Sequence, residues 1–286
     1  MQSEQMRHRP VSSYKGFPNP SKVISVEEAA EVLEARNTAF VDTRNYWKYV
    51  TGHIPGAINL ELYAFHWVDT SSEGLRAFTR QMTDLFGSFG IDNRKRVIFY
   101  ENNSGYDAAR GVWLMDYLGN KNAAILDGGL KLWKRKKLPM STADPRIRPT
   151  RFRPSPDMGE IATLDSLLTV VKAKSDKRVL DTRSRGEYIG QFRRALKGGH
   201  VPRAVNVEWS RALRRDGSLK DAPTLERIYA RRGLARDGEV ITYCQSGYRA
   251  AHSWLVLKLL GYRMVRNYIG SWYEWGSHQR TPVAKR

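Results

Sequence analysis

The sequence predicts an α/β protein of two tandem domains, each a mainly parallel sheet flanked by helices. Three observations carry this. Segments of the first half recur in order in the second: Phe40-Val41-Asp42-Thr43-Arg44 as Val179-Leu180-Asp181-Thr182-Arg183, then Gly52-His53-Ile54-Pro55 as Gly199-His200-Val201-Pro202. Each copy alternates short apolar runs with helical patterns, the signature of a parallel sheet with helical crossovers. The 286 residues suit about two domains of ~150 residues each.

The elements follow in chain order. Residues 1–22 read as an N-terminal extension, expected to be loose. Ser25-Val26-Glu27-Glu28 is a capping box that predicts a helix through Ala29–Ala35, and Thr163-Leu164-Asp165 opens its counterpart in the second copy. Phe40-Val41 and Val179-Leu180 read as buried strands, as do Val97–Tyr100 and Val240–Tyr243. Helices follow at Ala108–Leu118 and Ala250–Leu260, closed by Gly119 and Gly261. The offset between the copies grows from 139 to 147 between the first two matched segments, which places an insertion near Gly190–Gly198. Residues 141–157, rich in Pro, Arg and Ser, read as a linker. The expected organisation is therefore 1–22 extension, 23–140 first domain, 141–157 linker and 158–286 second domain.

Composition narrows the function. With 41% hydrophobic and 11% aromatic residues, the chain has material for real cores and is not a disordered protein. No apolar run approaches the ~20 residues of a membrane span, and the polar N-terminus lacks the apolar core of a signal peptide, so a cytoplasmic location is expected. A single cysteine, Cys244, excludes an internal disulfide and a CxxC metal or redox pair. The net charge of +19 favours anionic partners, whether small oxyanions, nucleic acid or acidic surfaces, and does not choose among them.

Cys244 stands at the end of a predicted strand, followed by Gln245-Ser246-Gly247-Tyr248-Arg249 and a helix. Ligands of open α/β sheets sit at the C-terminal ends of the strands. Loop amides, the positive end of the following helix and the Arg249 cation would all favour a thiolate there. The matching position of the first copy is Glu101, in a loop one residue longer, so that copy has no nucleophile.

With these residues in view, the chain resembles the tandem-domain rhodaneses, the thiosulfate and 3-mercaptopyruvate sulfurtransferases. The resemblance covers about residues 23–280. It rests on the Asp-x-Arg strand ends, the paired Gly-His-(Ile/Val)-Pro segments, the Cys-x-x-Gly-x-Arg loop and Gly270-Ser271-Trp272-Tyr273-Glu274-Trp275. It implies two tandem rhodanese-like domains, the first catalytically silent, and a Cys244 that cycles between thiolate and persulfide without metal or organic cofactor. The partners implied are a small anionic sulfur donor and a thiophilic acceptor such as cyanide or a thiol, in a ping-pong scheme. The chain is expected to be a monomer with no membrane partner, and its charge leaves nucleic acid open. The loop matches neither the mercaptopyruvate pattern Cys-Gly-Ser-Gly-Val-Thr nor the mammalian thiosulfate pattern Cys-Arg-Lys-Gly. Its terminal arginine resembles bacterial thiosulfate-type enzymes, and thiosulfate is the expected donor. A mercaptopyruvate enzyme, a persulfide carrier serving a partner protein, and a cysteine-based phosphatase are the alternatives. The last is disfavoured because four residues, not five, separate Cys244 from Arg249.

The expected site is Cys244 with the loop Gln245, Ser246, Gly247, Tyr248 and Arg249, supported by Asp181, Arg183, Arg185 and Glu187. Arg249 reads either as a substrate cation or as a structural partner fixing the loop end; Glu187 resembles the family position whose carboxylate can pair with that arginine, and the ion pair is favoured. Asp181 and Arg183 have duplicates in Asp42 and Arg44, which points to scaffolding, while Arg185 has no basic counterpart and is a candidate anion binder. Arg193, Arg194 and Lys197 in the insertion are candidates for the entrance. His53 and His200 read as turn-stabilising, and His252, Trp272 and Trp275 as structural; Tyr106 resembles the family's aromatic position that faces the loop, with plain interface packing as the alternative.

Overall fold

The computed structural model describes residues 14–173 and 177–285. In the first half, β1 (Val23–Ile24), β2 (Thr38–Asp42), β3 (Ile58–Asn59), β4 (Arg96–Tyr100) and β5 (Ala123–Leu126) form a sheet in the order β1-β5-β4-β2-β3. In the second, β6 (Ile161–Ala162), β7 (Arg178–Asp181), β8 (Val205–Asn206), β9 (Val240–Tyr243) and β10 (Val265–Tyr268) repeat it as β6-β10-β9-β7-β8. Every pairing is parallel. The helices of the first half are α1 (Val26–Glu31), α2 (Tyr46–Tyr49), α3 (Ser72–Ser88), α4 (Tyr106–Tyr117) and α5 (Gly129–Arg135). Those of the second are α6 (Leu164–Lys172), α7 (Arg185–Tyr188), α8 (Ala222–Ala230), α9 (Tyr248–Leu259) and α10 (Ser271–Trp275).

The expected capping box forms, the Ser25 hydroxyl accepting from the Glu28 amide, and the structure shows a second one at Thr163, which accepts from the Ser166 amide. The first helix nevertheless stops at Glu31 rather than continuing to Ala35, because β2 begins at Thr38 and the chain must turn before it. The strand and long-helix expectations hold to within a residue or two. Gly119 and Gly261 take φ of 91° and 85° just past α4 and α9, where a side chain would be strained.

The two copies share one internal brace. Asp181 accepts from the Arg183 backbone amide and from its guanidinium, and Arg183 Nη2 reaches the Gly199 carbonyl at 2.7 Å. Asp42 and Arg44 do the same with the Gly52 carbonyl at 2.8 Å. His53 and His200 stack on Tyr49 and Tyr188 and hydrogen-bond the carbonyls of the same residues. The Gly-His turns are thus locked to the strand ends, and the duplicated histidines act within them.

The halves meet along α4 and α9, whose residues are buried on nearly every side. A helix with no polar face belongs inside a protein; here each covers its own sheet on one side and the other helix on the opposite side. Polar bonds cross the seam: Tyr248 Oη to the Leu62 carbonyl at 2.7 Å, the Leu219 amide to Asp127 at 2.7 Å, and Thr70 to Glu274 at 2.7 Å. The stretch 141–157 has no helix or strand but is pinned to the first half. The Thr150 amide bonds the Gly87 carbonyl, Ser155 bonds Leu118, and Phe152 is buried. Residues 14–22 depart from the loose extension expected of them. Phe17 is fully buried, Tyr14 and Lys15 bond Asp127, and Lys22 pairs with Asp116. Residues 1–13 lie outside the described residues.

Candidate functional site

Cys244 follows β9, the central strand of the second sheet, and is 1% exposed at the floor of a cavity of about 320 Å³. The loop is shaped by what its backbone bonds. The N-terminal amides of α10 hold its carbonyls: Trp272 N–H donates to the Cys244 carbonyl at 3.0 Å and Tyr273 N–H to that of Gln245 at 2.9 Å. Ser271 Oγ accepts from the Cys244 amide at 3.1 Å, and the Asn267 side chain donates to the Gly247 carbonyl at 3.0 Å. With the loop's carbonyls held in this way, the Gly247 N–H donates to Cys244 Sγ at 3.1 Å. Gly247 has φ of 83°, and a Cβ there would lie 2.9 Å from Ile269 Cα, so only glycine fits the turn without strain.

Arg249 lines the cavity, yet its guanidinium is engaged by Glu187 through two bonds of 2.8 and 2.9 Å. The fork-to-fork geometry is the strongest form of such a pair. Glu187 is also the N3 residue of the Ser184 capping box that starts α7. Burial opposes its ionisation, but the Arg249 hydrogen bond and charge and the Ser184 bonds outweigh that and hold its carboxyl down to about 2.

The structure brings Cys244, Gln245, Ser246, Tyr248 and Arg249 onto the cavity wall. Gly247 shapes the turn beneath it. Glu187 stands one shell behind, through Arg249. Asp181 and Arg183 are a buried ion pair in the strand-end brace, away from the lining. Arg185 is exposed and is not brought to the cavity. Of the insertion residues, Arg194 lines the cavity and its carbonyl accepts from the Gln245 side chain at 3.0 Å. Lys197 turns away to the carbonyls of His278 and Thr281, tying the insertion to the C-terminal segment.

Tyr106, read from the sequence as facing the loop, stands on the wall edge-on to Trp209 with ring centroids 4.9 Å apart. Tyr63 and Trp209 complete the wall, and sequence reasoning missed both; neither has a motif around it, and each arrives through a short 3-10 turn. Ser271 belongs to the Gly270–Trp275 motif, but neither its φ of 51° nor its bond to the Cys244 amide is announced by the sequence. His252 is fully buried beneath Trp209, its Nε2 bonded to the Ser104 carbonyl at 2.8 Å, and burial pushes it down to about 4. It is a neutral link between the halves. In the first half Leu130 and Lys131 amides hold the carbonyls of Glu101 and Asn102 in the same manner, so that loop is built alike around a carboxylate.

A model of the rhodanese-like domain matches this chain twice, over residues 25–136 and 163–278. The chain belongs to the rhodanese family. This rhodanese is 32% identical to the sulfur carrier protein TtuD of Thermus thermophilus, over 94% of this chain and 99% of that protein. It is 33% identical to a thiosulfate sulfurtransferase of Azotobacter vinelandii, over 93% of this chain and 98% of the other. A putative thiosulfate sulfurtransferase of Mycobacterium tuberculosis shares 35% over 91% of this chain and 96% of its own length. Among solved structures, an anaerobic ergothioneine biosynthesis enzyme from Chlorobium limicola superimposes with a TM-score of 0.81, covering 93% of this chain and 71% of that one. At 21% identity that likeness speaks for the shared rhodanese fold. Among the described residues of this rhodanese no helix is long and apolar enough to cross a membrane.

Proposed function

We propose that this rhodanese is a sulfurtransferase that moves the outer sulfur of thiosulfate to a thiophilic acceptor through a persulfide on Cys244. The observation that carries the reading is Cys244 Sγ on the cavity floor, accepting the Gly247 amide at the end of the central strand. In the first half-reaction the Cys244 thiolate attacks the outer sulfur. A bond forms from Sγ to that sulfur, the bond to the sulfonate sulfur breaks, and its electron pair leaves with sulfite. A thiolate and a thiosulfate dianion become a persulfide anion and a sulfite dianion. In the second, cyanide or a thiolate takes the outer sulfur, and the electron pair of the S–S bond returns to Sγ. The Gly247 amide acts on the persulfide as an oxyanion-hole donor acts on oxygen. Gln245, Ser246 and Arg194 border the entering anion, and the rings of Tyr63, Tyr106 and Trp209 limit water around it.

Glu187 supports this loop by holding Arg249; Asp181 and Arg183 support it by fixing the end of β7 beside β9. Arg185 is kept for long-range attraction of anions from its exposed position. The domain limits we propose are 23–140 and 158–286, around the family matches, with 141–157 between them and 1–22 as the N-terminal segment. A cytoplasmic monomer that acts without nucleic acid, metal or organic cofactor is the simplest form consistent with a small anionic donor.

The test is turnover. Thiosulfate and cyanide should give sulfite and thiocyanate many times per Cys244, and mercaptopyruvate assayed in parallel should be the poorer donor. The likeness to TtuD keeps one second reading: a carrier would take up one sulfur per chain and stall without its protein acceptor. Cys244→Ser should abolish either activity while leaving the fold intact, and mass spectrometry should find the added sulfur on Cys244. Substantial turnover in Cys244→Ser would exclude the mechanism.

A further inference from the structure

Arg110, on α4 of the half that has no nucleophile, is 1% exposed, and none of its three guanidinium nitrogens has a hydrogen-bond partner. Among the described residues no carboxylate forms an ion pair with it. It is caged by rings instead: its guanidinium carbon lies 4.4 Å from the Trp113 centroid, 5.0 Å from Tyr248 and 5.6 Å from Phe78. Its Nη1 lies 3.2 Å from where a Cβ on Gly247 would be, against the turn whose amide bonds Cys244 Sγ. Burial weakens its hold on the proton, and the ionisable groups that oppose this are Tyr248 and Cys244.

A buried cation with no partner is costly, and proteins retain one where an anion comes to meet it. Of the carboxylates behind the loop, Glu187 and Asp181 are already paired with Arg249 and Arg183. The Tyr248 hydroxyl donates to the Leu62 carbonyl and lies near Arg110 outside hydrogen-bond geometry. Burial, above all, holds its phenol well above the ordinary value, so it stays neutral. The remaining candidate is the sulfur.

We propose that Arg110 is the counter-charge of the Cys244 thiolate and persulfide, a positioning residue that the first half supplies to the site of the second through the Gly247 turn. This rests on Cys244 being the nucleophile, but it is tested by a measurement that needs no sulfur transfer. The first half then contributes a charge to the chemistry as well as a surface to the fold. It also accounts for the cage: aromatic faces hold the guanidinium in place without spending its charge on a carboxylate.

The experiment is the pH profile of Cys244 alkylation by iodoacetamide, a neutral reagent, in the full chain and in Arg110→Met, Arg110→Gln and Arg110→Lys. The other charged or titratable groups around the loop are Arg249, Tyr248, Tyr63, Tyr106, Arg194, Glu187, Asp181, Arg183 and His252, with Glu101 and Asp107 at the foot of α4. Burial pushes the last two up to about 8 and about 6, and all are common to every variant, so differences between profiles isolate Arg110. The uncharged variants should move the profile by about one unit to higher pH, a roughly tenfold loss of thiolate at a fixed lower pH. Their kcat/KM for thiosulfate should fall by about the same factor. Arg110→Lys should keep the profile. Arg110→Met should melt no lower than the parent, because an apolar chain suits the ring cage and an unpaired charge has gone. An unmoved profile in either folded uncharged variant overturns the proposal. So does a Lys variant that shifts as far as Met, or failure of both uncharged variants to fold, since the charge would then serve the structure alone. Loss of turnover in Cys244→Ser with no effect of Arg110 would leave the sulfurtransferase reading standing and remove this one.

Discussion

At Gly247 the backbone takes φ of 83° within reach of Ile269 and Arg110, and that one conformation aims an amide at Sγ. Gly247→Ala should therefore cost about 1–3 kcal/mol and slow sulfur loading, because the added carbon must displace the turn. Thermal melting and single-turnover loading would check it, and an unaffected loading rate would mean the amide is not needed. Arg249 makes a different case. Its fork is filled by Glu187, so Arg249→Ala strands a carboxylate that is 3% exposed, at a cost on the order of 3 kcal/mol. Arg249→Lys keeps the charge but loses the fork, and should recover activity better than stability. If Arg249 served substrate alone, the alanine variant would raise KM for thiosulfate with no change in melting temperature. The pair also sets an acid dependence. Glu187 is held down at about 2 from an ordinary 4.5, so its stabilisation is complete above about pH 4.5 and is lost as pH falls through about 2. Acid unfolding followed by circular dichroism should show this component in the parent and lack it in Arg249→Ala.

The element that matters most after the loop is α10, whose first amides hold the loop's carbonyls. Ser271 sits at its start with φ of 51°, and its hydroxyl accepts from the Cys244 amide and donates to the Tyr268 carbonyl. Ser271→Ala leaves that buried amide unsatisfied and should cost about 1–3 kcal/mol, read as a lower denaturant midpoint with unchanged slope. In the first half the same architecture surrounds Glu101, half-buried at the N-terminus of α4. Burial first, then the charge of Asp107, push it up to about 8. The sign is opposite to that of Glu187: the folded state keeps its proton, so this contribution is full below about pH 4.5 and fades as pH rises through about 8. Glu101→Gln should flatten that part of the stability–pH curve while changing sulfur transfer little, because the carboxyl lies outside the lining of the cavity. A stability curve that Glu101→Gln leaves unaltered between pH 5 and 8 would show that this carboxyl is not what titrates.

On the scale of the whole molecule, α4 and α9 share one apolar core that neither domain can cover alone, and Phe17 from the N-terminal segment closes it. Residues 158–286 by themselves would expose the far side of α9, a patch of the kind that drives aggregation. We expect that fragment to be insoluble or inactive. Soluble expression with full turnover would show that the first half contributes neither cover nor charge.

The duplication, the strand–helix alternation and the position of the single cysteine at a strand end are all legible in the amino-acid sequence. These are local or periodic properties: a two-residue or 3.6-residue repeat, a capping box and a recurring Asp-x-Arg are written in neighbouring residues. The loop from Cys244 to Arg249 was legible for the same reason; Glu187 as the partner of Arg249 came from the family resemblance, since nothing local links the two. Which distant residues come to the sulfur is settled in three dimensions. Tyr63, Trp209 and Arg110 come from segments 35 to 181 residues away in the chain: Trp209 folds against α9 of its own half, while Tyr63 and Arg110 arrive with the first half when α4 docks on α9. It also separated Arg185 from the cavity and turned Lys197 toward the C-terminal segment, since a basic side chain in sequence carries no record of the direction in which its helix or loop will point. The N-terminal segment reads as loose because its few apolar residues show no period. Its order comes from one phenylalanine and two lysines finding a seam that exists only after both halves have folded.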